Sequence, residues 1–108
     1  MALRGAPLAR VPLRNLRLDG ESNIIGSVTA GTPIEEALGP GLWMVSCRLD
    51  FKMQENSESG QGLGANPVWR FGRQWRPVYV PIGGTKYVVL DADYPSPITT
   101  QYYINRVA

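Results

Sequence analysis

The chain has 108 residues, 44% of them hydrophobic, with 12 glycines, 9 prolines, one cysteine and a formal net charge of +2. That suffices for one domain with one modest core. It excludes an intrachain disulfide, and no apolar run approaches the ~20 residues that span a bilayer.

Charge is unevenly spread. Residues 1–18 carry Arg4, Arg10, Arg14 and Arg17 and no acid. Residues 19–69 carry seven acids against Arg48 and Lys52, and Arg70, Arg73 and Arg76 follow. A basic arm, an acidic body and a second basic patch point to complementary contact with protein surfaces or phosphates.

Residues 1–17 read as an extended arm, because Pro7 and Pro12 prevent a continuous helix. The same prolines break the amphipathic helix that a transit peptide requires. The domain proper is expected over residues 18–108. Leu16-Arg17-Leu18 alternates briefly, and Asp19-Gly20 signals a turn. Asn23 to Thr29 is rich in β-branched residues and predicts a strand. Thr32 to Gly39 suits either a short helix, capped by Thr32 and Glu35, or an extended edge segment before the Pro40-Gly41 turn.

Trp43 to Met53 is the strongest pattern. Trp43, Val45, Cys47, Leu49, Phe51 and Met53 alternate with Met44, Ser46, Arg48, Asp50 and Lys52. Successive strand side chains point to opposite faces, so one long half-buried strand is expected. Its outward face would form a mixed surface for a neighbouring subunit. Cys47 falls on the inward face and reads as a small buried hydrophobe.

Residues 54–66 form a polar, glycine-rich stretch expected to be a long loop. Val68 to Phe71 predicts a short strand. Val78, Val80 and Ile82 alternate, with Pro81 marking an edge or bulge. Gly83-Gly84 then predicts a two-residue hairpin to Thr85–Ala92. The consecutive Tyr87, Val88, Val89 and Leu90 suggest a central strand buried on both faces. After the turn at Asp93 to Pro97, Ile98 to Val107 alternates, with Thr100, Tyr102 and Ile104 on one face. The long strand and this last one are expected to be neighbours through the core. Six or seven strands with frequent turns give an all-β sandwich or small barrel.

Chemistry is sparse. There is no histidine, which removes the commonest general base, the usual nucleophile triads and the commonest metal ligand. Asp91 and Asp93 would share a strand face about 7 Å apart. That spacing suits a carboxylate pair or a calcium site, but also a polar strand end entering a turn, the simpler reading. No glycine-rich phosphate loop of the required form is present, so neither catalysis nor a cofactor or metal is expected. Trp69, Arg70, Arg73, Trp75 and Arg76 interleave aromatics with arginines. This composition suits stacked bases, intramolecular stacking or interface anchors. The acidic surroundings argue against a nucleic-acid groove.

Ala37 to Ser46 resembles the "small-Leu-x-Pro/Ala-Gly-x-aromatic-x-Val" entry into a core strand of jelly-roll and related sandwich domains. Such domains recur in phage capsid decoration (cement) proteins, head fibres and tail proteins. Leu90 to Tyr102 is similar to the Asp-Tyr-x-x-Pro turn and Tyr-bearing strand of siphophage minor tail proteins, which are normally far longer. The resemblance implies a jelly-roll-like β-sandwich acting as a capsid decoration protein at the virion surface. Its partner would be the major capsid protein or another virion protein. The arm arginines and the Trp69–Arg76 patch would make contact, and a homotrimer would match the symmetric clusters of a shell. A tail or baseplate component and a carbohydrate-binding module are the alternatives.

Overall fold

The computed structural model describes residues 23–64 and 69–108. The arm, with Arg4, Arg10, Arg14 and Arg17, lies outside the described residues. So do the short alternation at Leu16–Leu18, the turn at Asp19-Gly20 and Val68.

Among the described residues there are eight strands: β1 (Asn23–Thr29), β2 (Ile34–Leu38), β3 (Gly41–Cys47), β4 (Phe51–Asn56), β5 (Trp69–Phe71), β6 (Arg76–Val80), β7 (Lys86–Ala92) and β8 (Thr99–Arg106). They form two antiparallel sheets, ordered β1-β8-β3-β6 and β2-β7-β4-β5. β1 pairs with β8, β2 with β7, β3 with β6 and β4 with β5. That nesting is a long antiparallel ribbon folded back at the β4–β5 connection. Rolled up so that alternate pairs fall in opposite sheets, it gives the jelly-roll sandwich. The expected all-β, jelly-roll-like fold is therefore present.

The long strand expected at Trp43–Met53 is two strands. β3 belongs to the first sheet and β4 to the second, and the chain turns between them at Arg48-Leu49-Asp50. The alternation survives the turn because Phe51 lies four positions, an even offset, after Cys47. Both strands thus present the same parity to a core enclosed by two facing sheets. Trp43, Val45, Cys47, Phe51 and Met53 are all buried. The outward residues, however, do not form one surface. Met44 and Ser46 belong to the first sheet and Lys52 to the second.

Residues 32–39 resolve in favour of the extended reading. β2 is an edge strand with Ile34 opposite Leu90 and Leu38 opposite Lys86. Leu38 is fully buried, and an extended chain brings Ile34 and Leu38 to the same face. β6 is likewise an edge strand, which accommodates Pro77. The turn at Pro81–Gly84 exists, with the Gly84 amide donating to the Pro81 carbonyl at 3.0 Å and Gly83 at φ +82°. It is not a hairpin, because β6 and β7 lie in different sheets. Ile82, at its tip, is 96% exposed rather than inward-facing. β7 is central in its sheet, as its apolar run implies. β8 is hydrogen-bonded beside β3 instead of facing it across the core.

The stretch 54–66 also changes character. Gln54 to Asn56 complete β4, residues 57–64 strap across the outer face of the second sheet, and residues 65 and 66 lie outside the described residues. Glu35 on β2 accepts from the Ser59 hydroxyl at 2.7 Å and the Gly60 amide at 2.9 Å. The strap returns with Asn56 donating to the Gly62 carbonyl and Gly64 donating to Gln54. Register sets Glu35 and Gln54 on either side of Val89, so the strap passes over that residue. Val89 is only 2% exposed although it points away from the core.

Candidate functional site

The outer face of the β1-β8-β3-β6 sheet carries the candidate site. Strand register lines up Ile25, Tyr103 and Ser46 across β1, β8 and β3. Trp75, just before β6, brings its ring centroid to 6.4 Å from that of Tyr103, tilted by 52°. This tilted packing is favourable for aromatic pairs. Tyr79, opposite Leu42, extends the same face along the edge strand. Ile25, Trp75 and Tyr79 are exposed, each with about half or more of its surface free.

The Tyr103 hydroxyl is the polar hinge of this surface. It accepts from Nε of Arg48 at 2.9 Å and donates to Gln101 at 2.9 Å. The bond to Tyr103 raises the Arg48 pKa still further, so that guanidinium stays charged. Beside this network lies a shallow depression of about 510 Å³ lined by Ser27, Arg48, Thr99, Thr100 and Gln101. The connections after β1, β3, β5 and β7 gather at this end of the sandwich. Arg48, Trp75 and the exposed Tyr94 therefore share it.

The patch of interleaved aromatics and arginines is divided by the fold. Trp69 and Arg70 belong to β5, at the edge of the second sheet, and their side chains lie outside what is described. Arg73 is exposed in the following turn. Arg76 begins the edge strand of the first sheet, directly after Trp75, and its Nη2 donates to Gln74 at 3.2 Å. Trp75 meets the row through Tyr103. Arg48 belongs to the outward face of Trp43–Met53 that the sequence marks as a contact surface, whereas nothing in the sequence marks Ile25 or Gln101. The parity of β8 does place Gln101 and Tyr103 together, opposite Tyr102. That β1 and β3 flank them is decided by strand pairing between distant segments.

The two aspartates do not form a site. Asp91 is 3% exposed and is engaged by the protein itself. Both of its oxygens face the Gly31 amide at 3.1 and 3.3 Å, and Nζ of Lys52 lies 3.6 Å away. Asp93 instead donates its amide to the Asp50 carbonyl at 2.7 Å. Among the described residues no group of three histidine, cysteine, aspartate or glutamate side chains could hold a metal ion. Burial pushes the Cys47 thiol up, which keeps it in its unreactive protonated form. Among the described residues no helix is long and apolar enough to cross a membrane.

No known protein family, curated protein or solved structure matches the chain.

Proposed function

We propose that the chain is a structural protein of a phage particle, a capsid decoration protein. It would bind the capsid lattice through the outer face of the β1-β8-β3-β6 sheet. The observation that carries the reading is the set of exposed large apolar and aromatic side chains, Ile25, Trp75 and Tyr79, on one sheet face. Contiguous exposed apolar surface marks interaction sites. Tryptophan, tyrosine and arginine are the residues that anchor interfaces. Ile25, Trp75 and Tyr79 supply the apolar contact, and Arg48, fixed by Tyr103, supplies an oriented charge. The basic segment 1–17 adds four arginines to pair with carboxylates on a neighbouring surface. The double-sheet jelly roll, frequent in viral capsid domains, is consistent with this role by analogy alone.

The test is co-sedimentation of the purified protein with capsids of the encoding phage that lack it. Trp75→Ala and Tyr79→Ala should each weaken binding by about tenfold or more, and deletion of residues 1–15 should weaken it further. Undiminished binding of all three variants overturns the reading.

A carbohydrate-binding module is the second reading. The depression lined by hydroxyls, Gln101 and Arg48 beside the Trp75–Tyr103 pair favours it. Glycan-array binding lost in Trp75→Ala and Gln101→Ala would support that reading instead.

A further inference from the structure

We propose that β1 is a two-fold interface at which a second copy of this chain adds its own β1. Sheet edges expose unpaired main-chain groups, and proteins blunt them with charge, proline, short strands or covering loops. Among the described residues, three of the four sheet edges are blunted in this way. β2 carries Glu35 and Glu36 and is gripped by the strap at Ser59 and Gly60. β5 has three residues, including Arg70, and β6 begins Arg76-Pro77. β1 has seven residues, Asn23-Ile24-Ile25-Gly26-Ser27-Val28-Thr29, with no charge and no proline.

The edge-facing groups can be assigned. The Ala30 amide donates to the Ile98 carbonyl at 2.9 Å, which continues the β1–β8 ladder. Ladder bonds fall on alternate residues, so Val28, Gly26 and Ile24 point their main-chain groups toward β8. Ile25, Ser27 and Asn23 point theirs outward, as Thr29 does. The Thr29 carbonyl confirms the parity by accepting from Thr32 at 2.8 Å in the following turn.

The sequence of this edge is self-complementary about Gly26. An antiparallel pair with its two-fold axis at Gly26 sets Ile25 against Ser27 of the second copy. These are the residues with outward donors and acceptors, so they close complete hydrogen-bonded pairs on both sides of the axis. The same register sets Ile24 against Val28, a β-branched apolar pair on the core side, and Asn23 against Thr29, both polar. Cross-strand pairs of these kinds stabilise sheets. A two-fold axis brings any charge beside it close to its own copy, and the uncharged β1 meets no such repulsion. The result is one eight-stranded sheet, β6-β3-β8-β1 continued by the second copy's β1-β8-β3-β6. Ile25, 64% exposed in the single chain, becomes part of its continuous outer surface.

The test uses the full chain in light scattering and sedimentation across a concentration series. The expected mass is twice 11.9 kDa. Ser27→Pro removes an outward N–H that no β1–β8 bond uses, so the single fold should persist. Its mass should fall by half with an unchanged circular dichroism spectrum. Ile25→Lys should do the same by placing like charges about the axis, and it serves if Ser27→Pro fails to fold. Amide exchange of Ile25 and Ser27 should slow as protein concentration rises. A monomeric or trimeric wild-type mass overturns the proposal. So does a dimer that persists in a folded edge variant, or exchange at these two amides that is independent of concentration.

Discussion

The Tyr102 hydroxyl on β8 donates to the Glu36 carboxylate on β2, joining the two sheets from their inner faces. The residues are 66 positions apart, and Tyr102 is buried. Burial, together with the nearby carboxylate, pushes the Tyr102 phenol above its usual range.

Tyr102→Phe should therefore destabilise the fold by about 1–3 kcal/mol, because Glu36 loses a donor in a partly desolvated site. Glu36→Gln should cost less, since the amide oxygen still accepts. Urea unfolding of both variants and the double variant should show a favourable coupling. The pH dependence follows from the raised phenol pKa. The folded state favours the protonated phenol, so this stabilisation is complete below pH 10 and is lost as pH rises through the folded value. Alkaline titration followed by tyrosinate absorbance should show one tyrosine ionising together with unfolding.

Gly26 is tied to the same tyrosine. A Cβ built there would lie 2.6 Å from Cε2 of Tyr102, too close for any side chain. Gly26→Ala should destabilise by about 1–3 kcal/mol through overpacking. Combined with Tyr102→Leu, the alanine should cost markedly less than it does alone. Thermal unfolding of the four-member cycle measures this.

Asp91 fastens the β1–β2 crossover to β7 through the Gly31 amide and pairs with Lys52 across to β4. Gly31 sits at φ +91°, so the turn it makes is specific to glycine. Asp91→Ala leaves that amide and ammonium without their acceptor and should cost about 2 kcal/mol by chemical denaturation. Lys52→Met should cost less, because Lys52 is more exposed and can be replaced by an apolar stem.

The strap at Ser59–Gly60 should release from β2 on acidification. The Ser59 hydroxyl, and secondly the Gly60 amide, hold the Glu35 carboxyl below its usual value of 4.5. A lowered folded pKa gives stabilisation that is present above 4.5 and lost as pH falls through the folded value. The protection of the Gly60 amide, relative to its intrinsic exchange rate at each pH, should fall in that window. In Glu35→Gln the exchange should lose this pH-dependent step.

Much of the fold was legible in the alternation of single segments. Tyr102 and Tyr103 had to face opposite ways, and they do: one reaches Glu36 through the core and the other lies under Trp75 on the surface. The run from Tyr87 to Leu90 implied a central strand for the same local reason. The candidate site was less legible. Trp75 stood out by composition and Arg48 by its place on an outward face, whereas Ile25 and Gln101 are ordinary residues until pairing brings them beside Tyr103.

By itself the sequence determined the parity of nearly every strand, and hence the core from Trp43 through Met53 to Ile104. Side-chain alternation is a property of the extended backbone and needs no partner to be read. Only the tertiary structure decided that this parity passes through a corner at Arg48–Asp50, that β6 and β7 separate at Gly83, and that 57–64 closes over Val89. A sandwich core is equally satisfied by one long strand or by two strands that face each other. The choice depends on hydrogen-bond partners far away in the chain, and local alternation carries no record of them.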